Sequence, residues 1–279
     1  MFTSLSPGAI GVSVASLEEG LRLAARHGFA GYHFSIAEAV QLGADHVREL
    51  CDETGVRLSA FGFPVEFRQG EQDLEQSLAA LASQAAVAAD LGVRRTATWI
   101  SPASNELTFE ENFAFHVERL RPAAEILDDH GIHLGLEYVG PLKSRENSKH
   151  TFIHSMDQMA ELCAAVGPRV GFLLDAWHWY TAGEDSTHLQ RLNPEQVVDV
   201  HVNDAPDMSV DAQIDSQREL PGATGVIDIV TFLTALKRIG YDGPVMAEPF
   251  STTVKEMSAE DACQATARAL MSVWGEAGL

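Results

Sequence analysis

The segment GFLLDAWHWY, residues 171–180, changes from a continuous apolar run into a cluster of polar and aromatic side chains. The run from Val170 to Leu174 is typical of a β-strand that is buried on both faces. It ends in Asp175, and His178 follows three residues later. A carboxylate at the end of a buried strand is costly unless it is paired or ligated. The segment therefore indicates a functional carboxylate, although Asp175 as a helix cap and His178 as a surface imidazole is the simpler alternative.

Strand-like and helix-like segments alternate along the chain on both sides of this segment. We predict eight strands. They lie at residues 10–14, 31–35, 56–64, 94–100, 133–140, 170–175, 197–204 and 243–250. The predicted helices lie at residues 16–27, 36–54, 71–91, 109–130, 155–166, 227–239 and 258–274.

This alternation favours a parallel sheet, because strand–helix–strand units connect by right-handed crossovers. Eight such units in 279 residues match the size of a closed barrel. An open doubly wound sheet is the alternative, but no glycine-rich phosphate turn follows the first predicted strand. We therefore predict an α/β fold in which residues 1–279 form a single (β/α)8 TIM-barrel domain.

Composition excludes several classes of partner. Forty acidic and 19 basic side chains give a formal net charge of −21, which repels nucleic acids and anionic membranes. The N-terminal segment lacks a basic leader, and no apolar run approaches the ~20 residues of a membrane-spanning helix. The three cysteines have neither CxxC spacing nor the pattern of a disulfide framework. We expect a cytoplasmic protein without nucleic-acid or membrane partners, and homo-oligomerisation stays open.

Four polar residues occur late in four consecutive predicted strands, the fifth to the eighth. They are Glu137, Asp175, His201 and Glu248. In a barrel the carboxyl ends of neighbouring strands meet at one face, so these side chains can converge. Three carboxylates in contact repel one another unless a cation lies among them. Oxygen and imidazole ligands suit one divalent ion such as Mn, Co, Mg or Zn.

At this point the chain resembles the sugar phosphate isomerase/epimerase superfamily with the xylose isomerase-like TIM barrel. The similarity extends from LEEGLRLAARHGFAGYHF, residues 17–34, to GYDGPVMAEPF, residues 240–250. The family places its metal on a Glu, Asp, His, Glu set from strands five to eight. The resemblance assigns these ligands to Glu137, Asp175, His201 and Glu248.

Two further motifs of the family fall on this sequence. Its D-x-x-H motif matches Asp175 and His178, and the resemblance implies that this histidine contacts substrate oxygens. Its R-x-x-P-G motif matches Arg218, Pro221 and Gly222. In ketose 3-epimerases of the family this arginine also holds the substrate.

The ligand set suggests a reaction on a keto-sugar or a related polyol ketone. A metal that binds the carbonyl acts as a Lewis acid and acidifies the neighbouring C–H bond. Glu137 and Glu248 can then act as an acid/base pair, one removing the proton and the other returning it to the opposite face through an enediolate. This predicts an isomerase or epimerase with a small-molecule carbohydrate substrate.

Other activities remain open for the same residues. An inosose-type dehydratase would use the same metal site to expel a β-hydroxyl group. A non-catalytic metal- or sugar-binding barrel would not need the two glutamates. A DNA-repair endonuclease of the superfamily would need further histidine ligands from strands two to four, where only His33 is present.

A second group of residues has weaker sequence support. His33, late in the second predicted strand, and Trp99, late in the fourth, are candidate substrate-binding residues. Gly222 and Gly225 in PGATG can form an anion-binding nest. Asp204, three residues after His201, is expected to support a ligand or cap a loop rather than to bind the metal.

Overall fold

Eight parallel strands close into a barrel in the computed structural model, which describes residues 1–279. The strands in chain order are β1 (Phe2–Leu5), β2 (Gly31–Phe34), β3 (Arg57–Gly62), β4 (Arg95–Trp99), β5 (Ala103–Ser104), β6 (His133–Glu137), β7 (His150–Thr151), β8 (Val170–Asp175), β9 (Val197–Val202) and β10 (Pro244–Ala247). Around the barrel the order is β1-β2-β3-β4-β6-β8-β9-β10, and β10 pairs with β1. The predicted (β/α)8 barrel is confirmed.

The helices cover the outside of the barrel. They are α1 (Leu17–Arg26), α2 (Ile36–Leu42), α3 (Ala44–Thr54), α4 (Glu71–Asp90), α5 (Phe109–Asp129), α6 (Met156–Val166), α7 (Ala176–Thr181), α8 (Ser186–Gln190), α9 (Ile229–Ile239), α10 (Thr252–Lys255) and α11 (Ala259–Glu276). None of them combines the length and the apolarity that crossing a lipid bilayer requires.

The strands β8 and β9 are buried along their whole length. One face of each strand points into the barrel and the other packs under the helices, which explains the continuous apolar run from Val170 to Leu174. A glycine allows a close contact here: a Cβ atom on Gly171 would lie 2.2 Å from the carbonyl oxygen of Gln196.

The first strand differs from its prediction. The sequence predicted a strand at residues 10–14, but the barrel uses Phe2–Leu5, which pairs with β10 and β2. The apolar residues after it belong to a 3₁₀ turn, Gly8–Ile10, and to a loop that packs over the barrel. Strand pairing on both sides selected the short FTSL segment, although the later segment is the more apolar of the two.

Two other features were not predicted. The helical segment 36–54 is divided at Gly43, which has a positive φ of 83° and caps α2. A separate two-stranded antiparallel sheet joins β5 and β7 above the barrel. It ties the loop after β4 to the loop after β6, next to the carboxyl ends of the strands.

Candidate metal centre

The four predicted metal ligands converge at the carboxyl end of the barrel. Glu137 is the last residue of β6, Asp175 is the last residue of β8, His201 lies late in β9, and Glu248 directly follows β10. Asp175 and His201 are paired in the register of β8 and β9. One potential ligand atom from each of the four side chains lies within 4.8 Å of the corresponding atoms of the others.

The chemistry of these four side chains fits a divalent cation. Glu137 Oε1 and His201 Nδ1 are buried and have no hydrogen-bond partner in the protein. The His201 Nδ1 atom lies 3.4 Å from Glu248 Oε2 and 3.9 Å from Glu137 Oε1. Unpartnered buried polar atoms are rare because each one costs solvation energy. These three carboxylates and the imidazole point to one position. Binding of an ion there would remove the solvation cost of the unpartnered atoms.

Burial and neighbouring charges perturb these groups strongly. Burial, together with the charges of Asp175 and Glu248, holds the pKa of the Glu137 carboxyl well above its usual range. Burial also acts to raise the pKa of Glu248, but His201 and Arg218 outweigh it and lower that pKa to about 2. Glu137 is thus crowded by the other carboxylates, a repulsion that a cation among them would relieve.

Asp175 has two sets of partners. Its Oδ1 atom accepts hydrogen bonds from the Trp177 backbone N–H at 2.7 Å and from Asn203 Nδ2 at 2.9 Å. Its Oδ2 atom accepts from Arg218 Nη1 at 2.7 Å. Asp175 is thus a helix cap, as the simpler sequence interpretation proposed, and also a member of the ligand cluster. Asn203 was missed from the sequence, where nothing distinguishes it from other polar residues of a loop.

Arg218 is held rigidly beside the cluster. Besides Asp175, it contacts Glu248 Oε2 at 3.0 Å and Asp215 Oδ1 at 2.8 Å. Its guanidinium carbon lies 4.6 Å from the centre of the Phe250 ring and 5.3 Å from the Trp177 ring. Such cation–π contacts favour a fixed orientation of the guanidinium plane.

His178 is buried, which excludes its alternative assignment to the surface. The backbone N–H of Gly140 donates to its Nδ1 atom at 3.2 Å. The Nε2 atom lies 3.9 Å from Glu137 Oε2 and 3.8 Å from Asp215 Oδ1. Arg218 Nη2 lies 3.4 Å from the same Nε2 atom, so His178 faces both the carboxylates and the arginine.

Two adjoining cavities open at this end of the barrel. One, of about 400 Å³, is lined by His178, Arg218 and Asp215 among others. The second, of about 460 Å³, contains His33 and His201. Four side chains line both cavities, namely Trp99, Glu137, Glu248 and Phe250. The ligand cluster thus lies where the two cavities meet.

The candidate substrate-binding residues differ in their positions. His33 lines the second cavity, whereas Trp99 lines both cavities and is 49% exposed. The anion nest does not face the site. The N–H groups of Thr224 and Gly225 in PGATG donate to Asp204 Oδ2 instead, and Asp204 Oδ1 accepts from Ile227. Asp204 therefore organises the loop after β9.

A strained residue lies beside the cluster. Phe250 adopts a φ of 41°, the only positive value among the non-glycine residues. Residues in such sparsely populated conformations cluster at functional sites. Phe250 lies two residues after Glu248, and its backbone conformation places the aromatic ring over Arg218.

Comparison with known proteins shows the family to which the chain belongs. The model of the xylose isomerase-like TIM barrel family matches residues 21–272. The chain belongs to this family. A xylose isomerase domain protein from Alicyclobacillus acidocaldarius subsp. acidocaldarius, a member of known structure, is 31% identical over the full length of both chains, with a TM-score of 0.89. The IOLI protein, solved with a bound zinc atom, has a TM-score of 0.79 at 22% identity and 98% coverage of both chains, which supports the fold alone.

Two curated relatives in this family are sugar-modifying enzymes by name. The inosose isomerase of Bacillus subtilis (strain 168) is 26% identical over 66% of this chain. The ketose 3-epimerase of Arthrobacter globiformis is 32% identical over 47% of this chain. The matches span 63% and 39% of these proteins, less than two thirds of either length.

Proposed function

We propose that residues 1–279 form a single-domain, divalent-metal-dependent sugar isomerase or epimerase that acts on a keto-sugar or a related polyol ketone. The observation that carries the proposal is the convergence of Glu137, Asp175, His201 and Glu248 at the meeting point of the two cavities. The names of the two curated relatives, an inosose isomerase and a ketose 3-epimerase, support the same reaction class.

The four converging side chains would hold the ion, and Mn, Co, Mg or Zn suits their mixture of oxygen and nitrogen atoms. Bound there, the ion would supply Lewis-acid polarisation of the substrate carbonyl. The unpartnered Glu137 Oε1 and His201 Nδ1 atoms support this assignment. The site contains no cysteine, which distinguishes it from structural zinc sites.

Glu137 and Glu248 are the proposed acid/base pair. They come from β6 and from the end of β10, with β8 and β9 between them, so they approach the shared cavity from different directions. One carboxylate removes the proton from the carbon beside the carbonyl. The other carboxyl returns a proton to the opposite face of the resulting enediolate. The configuration at that carbon is thereby inverted, which is epimerisation.

Four other residues are proposed to bind the substrate. His178 and Arg218 line the first cavity, where they would contact substrate oxygens. His33 borders the second cavity. Trp99 borders both, and its exposed ring is available for stacking on the C–H face of a sugar.

The charges around the cavities favour an uncharged substrate. Arg218 is the one Arg or Lys residue among the side chains that line them. Its donors already contact Asp175, Glu248 and Asp215. A phosphate group would therefore meet several carboxylates and no unpaired Arg or Lys side chain among the lining residues. A free ketose or a cyclic polyol ketone avoids this repulsion.

The test is proton exchange in heavy water. The protein, loaded in turn with Mn, Co, Mg or Zn, is incubated with free ketoses, an inosose and phosphorylated ketoses. NMR then follows deuterium at the carbon beside the carbonyl, and product analysis separates epimerisation, isomerisation and loss of water. We expect exchange and an isomeric product from an unphosphorylated substrate. Absence of exchange with every metal would refute the enzyme proposal, and an unsaturated or deoxy product would identify a dehydratase.

A further inference from the structure

A second pair of polar side chains lies inside the barrel, next to the metal ligands but not among them. Asp199 precedes His201 by two residues on β9, so both side chains point to the same face of the strand. His33 lies on β2, which is separated from β9 by β1 and β10. The contact between His33 and Asp199 therefore crosses the interior of the barrel.

Asp199 is an incompletely paired buried carboxylate. It is 1% exposed, and its Oδ1 atom accepts a hydrogen bond from the backbone N–H of Val200 at 2.9 Å. Its Oδ2 atom is buried and has no hydrogen-bond partner. The His33 Nε2 atom is 3.8 Å away. A buried carboxylate oxygen without a partner costs several kcal/mol, so a specific donor is expected.

The distance between these two atoms permits a direct hydrogen bond after a small movement. At 3.8 Å they are too far apart for a hydrogen bond and too close for a water molecule to lie between them. A shift of roughly 1 Å in the imidazole ring would close the contact. Hydrogen bonds of this kind often tighten only when a ligand is bound.

His33 also borders the second cavity. Its ring lines the same space as His201, Glu137 and Glu248, on the wall formed by β2. Its side chain is 20% exposed, whereas that of Asp199 is 1% exposed. Burial lowers the pKa of His33 although Asp199 opposes this shift, which favours the neutral ring. A neutral ring that donates from Nε2 has an acceptor at Nδ1.

We propose that Asp199 is a positioning residue that fixes His33 in its Nε2–H tautomer, so that Nδ1 accepts a hydrogen bond from a hydroxyl group of the substrate. This inference rests on the proposed function and extends it. It assigns the second cavity to the hydroxyl-bearing part of an uncharged polyol, on the side of the cluster away from Arg218. Asp199 itself touches neither the substrate nor the metal.

The tautomer of His33 can be measured without any turnover. Protein labelled with ¹⁵N at histidine is loaded with Mg or Zn, which are diamagnetic, and the His33 signals are identified as those lost in H33Q. We expect the Nε2–H tautomer in the wild type. In D199N the amide oxygen keeps the Val200 bond and the amide nitrogen faces the ring, so His33 must accept at Nε2 and carry its proton on Nδ1. The same tautomer in both proteins would overturn the proposal.

Kinetics test the connection to the substrate. One neutral hydrogen bond is worth about 1 kcal/mol, so H33A and D199N should each raise KM about 3- to 10-fold with little change in kcat. Because Asp199 acts through His33, D199N should add no further increase in the H33A background. The exposed residues His46 and Asp242 provide the matched controls H46Q and D242N, which should leave KM unchanged.

The two experiments keep the inference and the proposed function separate. Equal effects of D199N with and without His33 would assign Asp199 a purely structural role and refute the pairing. If the protein turns over no ketose but His33 changes tautomer in D199N, the pairing of His33 with Asp199 stands and the sugar isomerase proposal is refuted. Metal content and melting temperature of each variant exclude loss of the ion or of the fold as the cause.

Discussion

Arg218 Nη1 donates to Asp175 Oδ2 at 2.7 Å, and the two side chains are 1% and 0% exposed. The same nitrogen lies 3.0 Å from Glu248 Oε2. Arg218 thus supplies a fixed positive charge to one side of the cluster, while Glu137 Oε1 and His201 Nδ1 stay unpartnered on the other. Arg218 therefore pairs with Asp175 and Glu248, whereas the metal is the proposed partner of Glu137 Oε1 and His201 Nδ1.

Replacing Arg218 by Met should weaken substrate binding but leave the metal in place. The arginine is not a ligand, and its loss makes the cluster more negative, which favours a cation. We expect a stoichiometric ion by elemental analysis, together with a higher KM or a lower kcat. His178→Ala should behave in the same way, and Arg191→Met, at an exposed ion pair with Asp157, serves as the control. Loss of the ion in R218M or H178A would make those residues necessary for metal binding.

Metal binding should stabilise the fold. An ion present at 100 times its Kd adds about 2.7 kcal/mol to the free energy of unfolding, because it binds only the folded state. For a chain of 279 residues that corresponds to a rise of roughly 5 °C in Tm. The rise should disappear in His201→Ala and persist in His188→Ala, which alters a histidine outside the cluster. An equal rise in both variants would place the ion elsewhere.

The sequence predicted the barrel and the four converging residues because both leave a local signal. Each buried strand is an apolar run, and each late polar residue interrupts that run. Asp199 and Asn203 lie in the same segment, DVHVND, yet their roles depend on His33 and Asp175, which other strands contribute. A single sequence does not encode such pairings locally. The same limit explains β1, where pairing with β10 and β2 selected residues 2–5.

His116 should make the protein less stable at mildly acidic pH. Burial lowers its pKa to about 4, although the hydrogen bond to the Asn112 carbonyl opposes the shift. The ring stacks on Phe152, with centroids 5.2 Å apart. Between pH 6.5 and 4 the unfolded chain binds a proton that the folded chain does not, so stability falls as the pH decreases through this range. The full loss is about 3 kcal/mol.

His116→Phe keeps an aromatic ring in this cluster and removes the titrating group. The difference in unfolding free energy between wild type and H116F, measured by denaturant titration from pH 8 to 4, should change in favour of the variant as the pH falls. His130→Phe, at the C-terminal end of α5, serves as a control that replaces a histidine outside this aromatic cluster. A difference that stays constant with pH would mean that His116 does not control this transition.

Glu248 has two proposed roles, as a metal ligand and as a base, and one substitution separates them. Replacing it with Gln keeps an oxygen donor and the volume of the side chain but removes the basic carboxylate. Arg218 Nη1 can still donate to the amide oxygen, so the geometry of the arginine is expected to persist. Loss of a positioned acid or base typically lowers the rate about 10²- to 10⁴-fold. Weaker ligation would lower the rate as well, so the assay requires excess metal and a measured ion content.

Under these conditions E248Q should still bind a ketose but exchange the proton beside its carbonyl at least about a hundredfold more slowly than the wild type. Glu256→Gln, in the exposed loop after α10, provides a control that also removes one carboxylate near the end of the chain. A wild-type exchange rate in metal-loaded E248Q would reduce Glu248 to a ligand. Proton transfer would then depend on Glu137 alone, and a mechanism with one base on each face of the substrate would be wrong.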